Sequence, residues 1–150
     1  MKSPRSLAVV GLLVALVLGI VGTATANPGR RYNPDSPPIV TGCIIRFTSS
    51  GPVIHDNSWH HCTGANSVSV RSNGDLLLRH DRHGPIISVT VSPDESLSRR
   101  NIIAGASNGV NETVIRFQNA RTGKAVRADS SRLVCTYCNI WVTWVHAGSR

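Results

Sequence analysis

Ile39-Val40-Thr41-Gly42-Cys43-Ile44-Ile45-Arg46-Phe47-Thr48 is the stretch whose reading decides the fold. Ile39, Thr41, Cys43, Ile45 and Phe47 alternate with Val40, Gly42, Ile44, Arg46 and Thr48. Successive side chains of an extended chain point to opposite faces. A period of two in β-branched residues therefore predicts a strand. Ser49-Ser50-Gly51-Pro52 breaks it with residues that favour turns.

The same pattern recurs toward the C-terminus. Val53 to Cys62 is strand-like only at its start. Val68 and Val70 alternate with Ser67, Ser69 and Arg71, and Leu76-Leu77-Leu78-Arg79 follows Ser72-Asn73-Gly74-Asp75. Asn-Gly between two such runs predicts a hairpin, with both turn residues at positive φ. Pro85 to Ser92 reads as a strand with Ile87, Val89 and Val91 on one face. Thr113 to Gln118 places Ile115 and Phe117 together. Asn119 to Gly123 then forms a hairpin loop with a left-handed glycine, and Lys124 to Ala128 returns as a short strand. Leu133-Val134 and Ile140 to His146 complete the set. In the last strand Ile140, Val142 and Trp144 share one face, and Trp141, Thr143 and Val145 share the other.

One segment departs from this pattern. Ser92-Pro93-Asp94-Glu95 places serine as an N-cap, proline at the first helical position and glutamate at the third. One or two helical turns are expected, ending before Ile102. Ile102-Ile103 reads as a short strand and Gly105 to Asn111 as a loop. The expected fold is all-β: an antiparallel β-sandwich or small barrel of about 8–10 short strands, with one short helix near residues 93–100. The cysteine–tryptophan–cysteine spacing of immunoglobulin domains is absent.

Upstream, Met1-Lys2-Ser3-Pro4-Arg5 is basic, Leu7 to Val21 is apolar or glycine, and Gly22-Thr23-Ala24-Thr25-Ala26 supplies small residues. This order predicts a signal peptide over 1–26, with an apolar run shorter than the roughly 20 residues that span a bilayer. A flexible mature N-terminus over 27–38 and a single disulfide-stapled domain over 39–150 follow. Cleavage would leave 150 − 26 = 124 residues, carrying 16 − 2 = 14 Lys and Arg against 8 Asp and Glu. Lys124 is the only lysine among them. A basic exported domain suits acidic envelope polymers, although charge bears first on solubility and non-specific binding.

Cys43, Cys62, Cys135 and Cys138 form an even set in an exported chain, which favours disulfides. Three pairings are possible. The local one, Cys43–Cys62 with Cys135–Cys138, is preferred. Cys135-Thr136-Tyr137-Cys138 has redox spacing, but its strand-and-turn surroundings do not supply the helix N-terminus that stabilises a thiolate. Zinc on His60, Cys62, Cys135 and Cys138 is the competing use, and disulfides exclude it. His80 and His83 with Asp81 are a second, weaker metal grouping. Neither a metal nor a cofactor is expected.

The residues chosen for binding are Trp59, His60, His61 and Trp141. Tryptophan and histidine stack on sugar rings or anchor protein contacts. Trp144, on the opposite face of the last strand from Trp141, is expected in the core. No pair of carboxylates stands out for glycoside hydrolysis, and no catalytic residue is assigned. The expected function is a secreted, non-catalytic β-domain that binds an extracellular polymer or protein. No nucleic-acid signal is visible, and no membrane association is expected after cleavage. Two alternatives remain open. One is a small histidine-dependent hydrolase, for instance His60 or His61 with Glu112 and Arg116. The other is an inhibitor or toxin using the Ser49 to Ser58 loop. Asn111-Glu112-Thr113 is a glycosylation sequon.

Overall fold

The computed structural model describes residues 36–57, 59, 61–80, 86–109 and 111–147. The expected signal peptide, nearly all of the expected N-terminal extension, and His60, Asp81 and His83 lie outside the described residues.

The alternating stretch forms β1 (Ile39–Thr48), which turns into β2 (Gly51–Ile54). β3 (Ser67–Val70) and β4 (Leu76–Arg79) form a second hairpin. β5 (Ile86–Pro93) leads into α1 (Glu95–Arg99), followed by β6 (Ile102–Asn108) and β7 (Glu112–Asn119). β8 (Ala125–Val126), a 3-10 turn (Ser131–Leu133) and β9 (Asn139–His146) complete the order.

These strands make two antiparallel sheets. The first has the order β2-β1-β9-β5. The second has the order β3-β4-β7-β6, with β8 pairing to β7 beyond the end of β4. The fold is all-β. β9 pairs with β1 from Ile39↔His146 to Arg46↔Asn139, so the last strand closes beside the first.

That register decides which side chains face inward. Ile45 opposes Ile140, and Cys43 opposes Val142. With Phe47 and Trp144 they meet Leu76, Leu78, Ile115 and Phe117 of the second sheet in one core. Phe47 and Phe117 join the sheets edge to face, with ring centroids 5.5 Å apart. Leu97 of α1 and Leu133 of the 3-10 turn are fully buried in the same core.

The disulfides are Cys43–Cys62 and Cys135–Cys138, the local pairing. The first ties β1 to the segment that follows β2. The second closes the turn that leads into β9.

Several expected boundaries move, each for a physical reason. The N-cap of α1 is Asp94, not Ser92. Pro93 stays in β5 opposite Ile140. Asp94 Oδ1 accepts from Leu97 N and Oδ2 from Asn139 N, both at 2.9 Å. A carboxylate that caps the helix and ties it to β9 outweighs the local serine signal. Ile87 does not share a face with Val89 and Val91. The register slips between Ile86 and Ser88, and the bulge leaves Ile87 exposed.

The stretch expected as a loop from Gly105 is strand through Asn108. Pairing of β6 with β7 from Ile102↔Asn119 to Asn108↔Thr113 overrides its weak strand propensity. Leu133 lies in the 3-10 turn, capped by Ser130, rather than in a strand. The Asn73-Gly74 hairpin is present, but only Gly74 has positive φ, at 91°. Gly74 N donates to Arg71 O and Arg71 N to Asp75 O, which is the three-residue turn with a glycine bulge. Gly123, at φ 67°, is left-handed as expected.

Candidate functional site

The exposed aromatic side chains among the described residues lie on the first sheet or on the segments that flank its strands. Alternation along β9 sends Ile140, Val142, Trp144 and His146 inward, so Asn139, Trp141, Thr143 and Val145 face outward. β1 adds Val40, Gly42, Ile44 and Arg46 beside Val145, Thr143, Trp141 and Asn139 respectively. β5 adds Thr90 and Ser92 beside Thr143 and Trp141. Trp141 thus stands in the middle of a sheet between Ile44 and Ser92, yet 47% of its surface is open. Gly42 leaves a dip next to it, because it presents no side chain.

Polar groups border one end of this strip. Arg46 Nε donates to Asn139 Oδ1 at 3.4 Å, and its NH2 donates to His55 Nε2 at 3.1 Å. Asn57 Nδ2 reaches the same His55 nitrogen at 2.9 Å. A guanidinium only donates, so Nε2 accepts and the ring hydrogen of a neutral His55 sits on Nδ1. His55 is therefore held as part of a fixed polar border.

The segment beyond β2 stays along the edge of β1. His55 N donates to Ile44 O, and Thr63 N donates to Gly42 O. Between these anchors the chain loops out and carries Trp59 and His61. Asn57 Oδ1 accepts from Trp59 N at 2.9 Å, a local turn that leaves the indole 86% exposed. His61 Nδ1 meets Asp56 Oδ1 at 2.9 Å, with both side chains largely open to solvent.

Tyr137 stands 70% exposed at the tip of the Cys135–Cys138 turn, two residues before β9. Asn139 Nδ2 donates to its carbonyl. Among the described aromatic residues, Trp59, Tyr137 and Trp141 are exposed and all border the first sheet. Phe47, Phe117 and Trp144 are buried.

Three of the expected binding residues, Trp59, His61 and Trp141, therefore belong to one sheet and its edge. The fourth, His60, lies outside the described residues. Sequence reading missed Tyr137, Arg46, Asn57 and Asn139, and grouped His55 with His60 and His61 without choosing it for binding. The residue parity of Arg46 and Asn139 with Ile44 and Trp141 was a usable signal. The contact between Arg46 and His55 needed the β1–β2 register.

The other described histidines do not lie at the surface. His80 and His146 are buried. His80 Nδ1 donates to Gly64 O at 2.8 Å, and its Nε2 lies 2.7 Å from Thr113 Oγ1. Thr113 Oγ1 also accepts from Trp144 Nε1 at 2.9 Å and bonds Asn108 Oδ1 at 2.7 Å. The ring of His80 stands edge to face on Trp144, 4.9 Å between centroids. His146 Nε2 bonds Thr41 Oγ1 at 2.9 Å. These are core contacts that satisfy buried polar groups.

Of the hydrolase grouping, His60 lies outside the described residues, and His61, Glu112 and Arg116 each pair with a different residue. Glu112 pairs with Arg71, and Arg116 pairs with Asp75, across the outer face of the second sheet. Among the described residues, no three His, Cys, Asp or Glu side chains gather as a metal site. No family model, curated protein or solved structure matches the chain.

Proposed function

We propose that this is a secreted binding module that holds an extracellular polymer on the outer face of its first sheet. A polysaccharide is the ligand class that best suits the face. The observation that carries the proposal is the placement of Trp59, Tyr137 and Trp141, every exposed aromatic side chain among the described residues, around one sheet.

Large aromatic rings in the open cost solvation that a packed core would recover, so their presence on and around one sheet supports a contact surface there. An indole offers a flat apolar surface for the C–H face of a sugar ring. Arg46, Asn139, Thr143, Thr90 and Ser92 offer donors and acceptors for hydroxyl groups alongside it. An open strip of this kind engages several units of a chain at once. It lacks the enclosed cavity that small ligands prefer.

Export is supported by the basic, apolar and small-residue order of 1–26 and by two disulfides with no free cysteine among the described residues. No helix among the described residues is long and apolar enough to cross a membrane.

The test is retention of the purified protein on insoluble chitin, cellulose and peptidoglycan, with Trp141→Ala and Trp59→Ala alongside. Retention on at least one polymer, weakened at least about tenfold by Trp141→Ala, is expected. No retention on any of them, or retention unchanged in both variants, overturns the proposal. Amino-terminal sequencing of secreted material should begin at Asn27.

A further inference from the structure

A second site follows from where the positive charge is left uncompensated. Each carboxylate among the described residues already has a partner. Asp56 meets His61, Asp75 meets Arg116, Glu95 meets Arg99, Glu112 meets Arg71, and Asp129 meets Arg127. Asp94 caps α1 and ties it to β9. Arg46, Arg79, Arg100, Arg121, Lys124 and Arg132 are left without a carboxylate partner among the described residues, and two of them, Arg100 and Arg132, line one hollow of about 260 Å³ together with Ile102 and Asn119.

The lining is one of donors. Arg100 NH1 donates to Arg132 O at 3.0 Å and to Val134 O at 3.3 Å, which pins its guanidinium to the 3-10 turn. Its Nε–H and NH2 edge is left over, the fork that matches two oxygens of an oxyanion. Asn119 Oδ1 accepts from Arg121 N, Thr122 N and Thr122 Oγ1, so its chemistry toward a ligand is the Nδ2 donor. Ile102 is buried and contributes an apolar wall.

We propose that this hollow binds a phosphate or sulfate group, either free or carried as an ester on a larger molecule. Two guanidinium groups and an amide supply donors, and the wall supplies a contact for the carbon attached to an ester oxygen. None of its lining residues belongs to the Trp141 face, so the site does not depend on the proposed function.

The experiment is an NMR titration of the ¹⁵N-labelled protein with inorganic phosphate, sulfate, glycerol phosphate and, as a control, acetate. Saturable shifts are expected at the Nε–H of Arg100 and Arg132 and at the Asn119 side-chain amide. Tighter binding of glycerol phosphate than of inorganic phosphate would assign an ester-borne group, and the reverse a free ion. The Arg132 side chain makes no bond among the described residues, so Arg132→Gln should fold. It should bind at least about tenfold more weakly, as expected for losing a charge-assisted contact. Arg100→Lys keeps the charge, removes the fork and should also weaken binding. Arg79→Gln removes the same charge from the second sheet and should change affinity less than about twofold. Shifts that fail to saturate, shifts of equal size at Arg79 and Arg121, or wild-type affinity in Arg132→Gln would overturn the site.

Discussion

Trp144 Nε1 donates to Thr113 Oγ1 at 2.9 Å, and this bond joins the two sheets at the centre of the core. Both residues are fully buried. The one hydroxyl also meets His80 and Asn108. Thr113→Val keeps the shape but removes the shared partner. It should destabilise the fold by about 2 kcal/mol or more, because buried donors are left unmade. Thr113→Ser should restore most of the loss. Urea unfolding midpoints of the three proteins measure this.

Gly64 and Gly105 should respond in opposite ways to alanine. A Cβ on Gly64 would lie 2.3 Å from Trp144 Cε3 and 2.9 Å from Thr41 Oγ1. Gly64→Ala should cost about 1–3 kcal/mol through overpacking. A Cβ on Gly105, on the outer face of β6, meets nothing within 4 Å. Gly105→Ala should be neutral or stabilising by about 0.5 kcal/mol, since glycine weakens a strand interior. Thermal melts of the two variants give the comparison.

The two disulfides should differ in weight. Cys43 and Cys62 are 19 positions apart, against 3 for Cys135 and Cys138. On chain entropy the longer loop contributes about 3 kcal/mol and the shorter one less. The double-serine variant at Cys43 and Cys62 should therefore unfold at lower urea than the one at Cys135 and Cys138. A thiol assay on the denatured wild-type protein should find no free thiol.

The Arg127–Asp129 pair makes stability fall slightly in acid. The hydrogen bond from Arg127, aided by its charge, holds the Asp129 carboxyl below its ordinary range. A lowered carboxylate contributes stability at pH values above its unfolded range, and that contribution is lost as the pH falls through its folded value. The pair is solvent-exposed, so the effect is small and weakened by salt. Asp129→Asn should be slightly less stable than wild type at about pH 6, and the gap should be narrower at about pH 3. Denaturation at the two pH values, in low and high salt, tests it.

What the sequence could reveal was set by how locally each feature is encoded. The inward and outward faces of β1 and β9 were legible because alternation is a property of adjacent residues. The disulfide pairing followed from short spacing. The second half of β6 was hidden, since Gly105 to Asn108 becomes strand only through its register with β7. The cap at Asp94 was hidden because its second partner, Asn139, lies 45 positions away. Trp59 and Trp141 could be singled out by type. Their place on one sheet depends on the backbone bonds from His55 and Thr63 back to β1. The burial of His80 and His146 rests on contacts to Gly64, Thr113 and Thr41 that no local pattern contains.

The most direct test of the proposed binding face uses the three indole N–H signals of the ¹⁵N-labelled protein. Soluble oligosaccharides of chitin, cellulose and peptidoglycan are added in turn. With the polymer that binds, the signals of Trp59 and Trp141 should shift and saturate together while that of Trp144, fully buried and bonded to Thr113, stays in place. If none of the oligosaccharides moves the Trp141 signal, or if Trp144 shifts while Trp59 and Trp141 do not, the outer face of the first sheet is not where this protein binds.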